Sequence, residues 1–498
     1  MSALNEIDWH ARAEQLKPRN QAFINGDFVA AADGATFACV DPASGRQITE
    51  VARCKAEDID RAVKAARAAF ERQEWSHSAP AERKRIMLRL AELLLEHREE
   101  LALLETVCMG KPIADAYEFD VPGAAATLSW YAEAADKLYD EVAPTGVNAL
   151  ATITREPVGV VGAVVPWNFP LDIAIWKLGP ALVAGNSVVL KPAEQSPLSV
   201  LLLAELAIEA GMPAGVLNVV PGFGEEAGEP LGRHMDVDCV SFTGSTDVGR
   251  RFMGYSAESN LKMVWMECGG KSPHLVFADC ADMEKAVDYA SQGIFSNQGE
   301  ICSASSRLLV EASIHDPFVE ELVKRARTYA PGDPLDAATR MGAIVEQSQT
   351  DKILEYLHIG RQEGATVAVG GEGLTINDSS NFIQPTVFTG VNNDMRIARE
   401  EIFGPVLSVI PFADEGEAIR IANDTPYGLA AAVWTDDLRR AHRVSRALRA
   451  GTVSVNTVDV IDPTTPFGGY KQSGFGRDLS LHAIDKFTQL KTTWIDLG

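Results

Sequence analysis

Two apolar rhythms run along the chain. In the first 140 residues the helical one dominates. Ile59, Val63, Ala66 and Phe70 recur at near-helical spacing, and residues 81–108 repeat with a period near 3.6, which predicts an amphipathic helix or a helix pair. Ahead of them, residues 21–30 predict a hairpin that turns at Asn25-Gly26. From about residue 151 strands and helices alternate. Residues 159–165 and 187–190 are nearly unbroken apolar runs, as strands buried on both faces require. A helix should then open at Ser196-Pro197, with the serine as its cap, and close at Gly211. Residues 216–220 and 239–242 continue the strand series.

A second series begins near Gly270. Its predicted strands are 274–277, 307–310, 366–369, 407–411 and 452–455, with helices at 316–329, 415–423 and 437–449. The fold class is therefore α/β, with two doubly wound α/β domains and a cleft between them. Residues 150–155 and 487–495 alternate like strands outside either series and predict a small extra sheet. A length of 498 residues suits two or three cores better than one.

Composition narrows the function. A net charge of −24 excludes general affinity for nucleic acid or anionic membranes. No apolar run approaches the ~20 residues of a membrane helix, and the start of the chain carries no secretory signal. The seven cysteines are scattered without a CxxC pair, and no histidines have zinc spacing, so no metal is expected. The reading is cytoplasmic, reduced and soluble.

Candidate chemistry is thin when each residue is taken alone. Cys302 lies between a helical run (282–294) and a strand, where a thiol can reach a cleft, yet free cysteines mostly pack in cores. Glu267 ends an apolar strand before Cys268 and two glycines; desolvated there, its pKa would rise toward that of a useful base. Asn168 offers a side-chain amide between two prolines. Lys191 and Glu194 flank the start of a helix, where a ribose could bind. Gly244-Ser245-Thr246-Asp247-Val248-Gly249 follows a strand and opens a helix, a place for phosphate, although it is not GxGxxG. Gly270-Lys271-Ser272 looks like the end of a P-loop, but Trp265 stands where the first glycine belongs.

Taken together, seven segments resemble the NAD(P)-dependent aldehyde dehydrogenase superfamily over essentially the whole chain. They are VVPWNFP (164–170), KPAEQSP (191–197), FTGSTDVG (242–249), MECGGKSP (266–273), FSNQGEIC (295–302), EEIFGPV (400–406) and PFGGYKQSGFGR (466–477). The resemblance implies that Cys302 is the nucleophile, that Asn168 and the Cys302 N–H hold the oxyanion, and that Glu267 activates water. For NAD it implies Lys191 and Glu194 at the adenosine ribose, Gly244, Ser245 and Gly249 at the pyrophosphate, and Glu401 and Phe403 at the nicotinamide ribose, with Val165 and Trp167 alongside. It implies Phe169, Asp172, Trp176, Ile301, Asp459 and Phe467 on the substrate side. The carboxylate of Glu194 should repel a 2′-phosphate and favour NAD over NADP.

The resemblance further implies a NAD-binding domain of residues 1–140 and 160–267 and a catalytic domain of residues 268–477. Residues 141–159 and 478–498 would form an oligomerisation element of a homodimer or homotetramer. Within the superfamily the chain looks most similar to bacterial enzymes that oxidise γ-glutamyl-γ-aminobutyraldehyde or 4-guanidinobutyraldehyde, on segments 120–125, 130–134 and 477–483. It departs from them at Asp172, at Cys268 and in the mouth loop 457–463. Asp120, Asp172, Asp459 and Asp462 are therefore expected to form a negative entrance for cationic or polar amino-aldehydes. A branch that passes the thioester to coenzyme A is disfavoured by Glu267, and a silent structural relative by the presence of all three catalytic residue types.

Overall fold

The computed structural model describes residues 3–498. Eight strands form the first sheet, in the order Asp27–Val29, Ala22–Ile24, Leu217–Val219, Ser187–Lys191, Val160–Val164, Cys239–Gly244, Met263–Cys268 and Gly474–Phe475. Its five central strands, from Leu217–Val219 to Met263–Cys268, are parallel and built from the continuous apolar runs. Both edges are antiparallel: the Asn25-Gly26 hairpin closes one, and Gly474–Phe475 closes the other. The sheet is thus mixed rather than wholly parallel, because chain from both ends of the sequence returns to seal it.

Seven strands form the second sheet, ordered Thr366–Val369, Thr386–Thr389, Val406–Phe412, Arg307–Glu311, Pro273–Val276, Ala430–Trp434 and Thr452–Val455. Only the Thr366–Val369 edge is antiparallel. A third, three-stranded sheet pairs Thr488–Asp496 with Ala149–Pro157 along their whole lengths and adds Glu141–Ala143.

Residues 81–108 form a helix pair, Pro80–Glu96 and Arg98–Met109. The expected serine cap at residue 196 is not made. The helix starts at Leu198 without a side-chain cap, and Ser196 Oγ donates to the Trp167 carbonyl at 3.2 Å instead. A tertiary acceptor has taken the hydroxyl. The 437–449 helix runs Leu438–Ala447, capped by Asp437, and the 316–329 helix ends as a 3-10 turn, Arg327–Tyr329. Pro170–Val183, which the spacing does not single out, is apolar all round because it is buried on nearly every side.

Candidate active site

The helix Met283–Phe295, capped by Asp282, delivers the chain to Ser296. Asn297, Gln298 and Gly299 then all take left-handed backbone, with φ of 46°, 56° and 71°. For the first two this costs about 1 kcal/mol or more each. Tertiary bonds hold them there. Asn297 Nδ2 donates to the carbonyls of Asn168 (3.2 Å) and Glu300 (3.3 Å), and Gln298 Oε1 accepts from Gly342 N at 3.0 Å. A Cβ at Gly299 would overlap the Gly404 carbonyl. This reversal presents Cys302, which is partly exposed, whereas the other six cysteines are buried.

Asn168 arrives from the other side, on the turn between the Val160–Val164 strand and the Pro170–Val183 helix. Its Nδ2 donates to the Glu300 carbonyl at 2.9 Å, which fixes the amide and leaves its second N–H for another acceptor. No acceptor among the described residues takes the Cys302 N–H.

Glu267 is the penultimate residue of the Met263–Cys268 strand, rather than lying on a turn after it. Its backbone pairs with Thr243 on one flank and Gly474 on the other. Burial pushes its carboxyl up to about 8, Asp478 pushes in the same direction, and Lys177, Lys486 and Arg477 oppose it. Glu267 Oε1 has no hydrogen-bond partner among the described residues. Cys302 is likewise raised, first by burial and then by the charges of Glu267, Asp459 and Glu401. It rests as a thiol.

These groups share one cavity of about 200 Å³ lined by Trp167, Asn168, Gly244, Ser245, Glu267, Cys302, Glu401 and Phe403, among others. Ser245, which lines the cavity, caps the helix Thr246–Ala257, with its Oγ accepting from Val248 N at 3.3 Å. Trp167 meets Phe403 edge-to-face at 5.3 Å. Glu401 accepts from Gly270 N at 3.0 Å, and a Cβ at Gly269 would overlap its carboxylate. Gly249 lies one turn below Ser245 and is crowded by Met266 and Cys268. Lys191 Nζ reaches Glu194 at 2.9 Å, and Val165 N donates to the Lys191 carbonyl.

Trp176 packs edge-to-face on Phe467 at 5.4 Å, and Cys302 packs against the cluster that these two rings form with Leu429 and Leu479. Trp176 also donates to Asp172, whose carboxyl burial raises to about 7, with Asp120 adding to the rise. Lys111 sits 4.2 Å over the Phe169 ring. Asp459 takes left-handed backbone, with φ of 48°, and hydrogen-bonds Ser303. Ile301 packs toward the second sheet's core.

The four expected entrance acids do not act alike. Asp120 is neutralised by a buried ion pair with Lys111. Asp462 is exposed and accepts from the Thr464 N–H and hydroxyl within its own turn. Asp172 and Asp459 are the two whose carboxyls are raised by burial.

Gln349 and Lys352 also line the cavity, and sequence reading passes over them. They lie on the helix Gln347–Gln362, from which Gln349 Nε2 donates to the carbonyls of Ile402 (3.0 Å) and Phe403 (2.6 Å). Thr350, Ile353 and Leu357 carry that helix's buried stripe, the one local signal that could have located it.

The aldehyde dehydrogenase family model matches residues 28–493. The chain belongs to the aldehyde dehydrogenase family. It is 53% identical to the NADP/NAD-dependent aldehyde dehydrogenase PuuC of Escherichia coli (strain K12), over 98% of each chain. It is 52% identical to the aminoacetaldehyde dehydrogenase of Pseudomonas aeruginosa, over 99% of each. Among solved structures, an indole-3-acetaldehyde dehydrogenase in complex with NAD+ superposes with a TM-score of 0.98 at 57% identity, covering 98% of this chain and 99% of that one.

Proposed function

We propose that this aldehyde dehydrogenase oxidises its substrate to the carboxylic acid with NAD, through an acyl adduct on Cys302. The observation that carries the reading is the convergence of Cys302, Asn168 and Glu267, from three separate segments, on one cavity. NAD, when bound, supplies the acceptor for the aldehyde hydride. Lys191 and Glu194 would hold the adenosine ribose, Gly244, Ser245 and Gly249 the pyrophosphate, and Glu401 and Phe403 the nicotinamide ribose beside Trp167 and Val165. A capped helix start, glycines where a Cβ would collide, and a Thr243 hydroxyl without a partner among the described residues suit such a ligand. The Glu194 carboxylate disfavours a 2′-phosphate.

The Cys302 thiol gives up its proton to solvent, and the sulfur adds to the aldehyde carbon. The second Asn168 N–H and the Cys302 N–H receive the resulting oxyanion. Loss of hydride from this thiohemiacetal leaves a thioester. The Glu267 carboxylate then takes a proton from water, hydroxide adds to the acyl carbon, and the C–S bond breaks to free the acid.

On this reading, residues 1–140 and 160–267 form the NAD-binding domain and residues 268–477 the catalytic domain. Residues 141–159 and 478–498 build the interface of a homodimer or homotetramer, to which exposed Val142, Leu490 and Trp494 contribute apolar surface. Seven unpaired cysteines suit the reducing cytoplasm. The substrate class is an aldehyde whose far end is cationic, because Asp172 hydrogen-bonds Trp176, a member of the apolar cluster that packs against Cys302. The deciding measurement is NADH absorbance with propanal for the wild type and Cys302→Ala. Activity should vanish in the variant while NAD binding persists; equal turnover discards the mechanism.

A further inference from the structure

Behind Glu267 lies a buried group of three charges. Asp478 accepts from Lys177 through one carboxylate oxygen and from Lys486 through the other, and all three side chains are nearly inaccessible. Lys177 comes from the Pro170–Val183 helix. Lys486 comes from the 3-10 helix Leu481–Phe487, immediately before the strand Thr488–Asp496 of the third sheet. Two lysines on one aspartate leave an excess positive charge inside the protein, and burial makes that costly unless another anion is close. Glu267 supplies such an anion only when it is ionised, a form that Lys177 and Lys486 both favour against the pull of burial.

The backbone around the group is equally constrained. Asp478 and Phe467 exchange both backbone hydrogen bonds, at 2.8 and 2.7 Å. The next residue, Gly468, lies so close that a Cβ on it would stand 3.1 Å from Glu267 Oε2. The Lys486 carbonyl accepts from Trp265 Nε1 at 3.1 Å, two residues before Glu267 on the same strand. Lys486 thus grips the Glu267 strand by its backbone and the charge group by its ammonium.

We propose that Lys486 is a positioning residue for the base: by balancing Asp478, it sets the field in which Glu267 takes up and releases the proton of the attacking water. This rests on the reading of Glu267 as the base. The charged and titratable groups facing Glu267 are Asp478 and Arg477 from the segment after Gly474–Phe475, Lys177, Lys486, its neighbour Cys268, and Cys302. Asp478 opposes the carboxylate form, while Lys177, Lys486 and Arg477 favour it. Removing the Lys486 charge therefore leaves Glu267 harder to ionise, and removing the Asp478 charge makes it easier.

The experiment measures the pH profile of kcat with NAD and a neutral alkanal, together with the NADH burst, for Lys486→Met, Lys486→Arg and Asp478→Asn. Lys486→Met should move the ascending limb to higher pH by about one unit, as expected for loss of a buried opposite charge. Lys486→Arg should restore the wild-type limb. Asp478→Asn should move it to lower pH. Opposite shifts from two neighbouring substitutions cannot arise from loosened packing. Lower rates with an unmoved limb, or shifts of the same sign, would overturn the proposal. If Lys486→Met does not fold, the remaining pair still decides, because Asp478→Asn must move the limb while Lys486→Arg must not. Glu267→Gln, run alongside, tests the underlying reading: steady-state turnover that survives in it removes the base itself.

Discussion

Asn168 and Glu300 are joined by a single hydrogen bond, from the Asn168 side-chain amide to the Glu300 carbonyl at 2.9 Å. It spans 132 residues of sequence and sets the direction of the amide's free N–H. Asn168→Ala removes both the donor and the tie between the two loops. The NADH burst rate should fall about 10²–10³-fold, the usual loss for an oxyanion donor. Stopped-flow absorbance reads it directly.

On the proposed mechanism, Glu267 carries the pH dependence of turnover. With its carboxyl raised to about 8, the base is mostly protonated at neutral pH and becomes competent as pH rises. Where hydrolysis of the thioester limits, kcat should climb through pH 8. Glu267→Gln should keep the burst and lose steady-state turnover by about 10²-fold or more. A flat profile between pH 6 and 9 would contradict the assignment.

Asp172 predicts a preference that itself depends on pH. Its carboxyl is raised to about 7, so it is an anion only above neutrality. The ratio of kcat/KM for an amino-aldehyde to that for a neutral alkanal of equal length should grow as pH rises through 7. Asp172→Leu should flatten this dependence and lower the ratio about tenfold at pH 8, as expected for the loss of one close charge pair. A neutral substrate favoured at every pH would defeat the reading.

Glu105 makes a prediction about stability. Fully buried, it accepts from the Ser199 hydroxyl and from Leu171 N through one oxygen, while the other has no partner among the described residues. Burial raises its carboxyl from 4.5 to about 7. The folded state therefore keeps a proton that the unfolded state has lost. The associated stability is whole below pH 4.5, declines as pH rises, and is gone above about 7, a change of about 3 kcal/mol. Glu105→Gln should match the wild type in thermal midpoint near pH 5 and exceed it at pH 8.

The strand series was legible because buried strands need continuous apolar runs, and the hairpin because Asn25-Gly26 has one common use. What stayed hidden was settled by distant partners. Ser196 reads as a cap until the Trp167 carbonyl competes for it. The antiparallel edge at Gly474 depends on a chain return some 200 residues after Cys268, which no local window contains. Cys302, Glu267 and Asn168 carried no chemistry singly. It was the resemblance across seven segments that grouped them, and the Asn297–Gln298 reversal that explains how the fold does so. Asp120 and Asp172 look equivalent in sequence; only the structure gives one of them a lysine.

The strand Gly474–Phe475 has a mechanical consequence. The chain leaves the first sheet after Cys268 and comes back at Gly474 to pair beside the residue it left. The two large bodies are therefore suspended from two straps that meet next to Glu267, not from a single swivel. A wide hinge motion would have to peel the second strap from the Glu267 backbone. Glu267 is thereby tied by backbone pairing on both flanks, to Thr243 on one side and to the returning strap on the other.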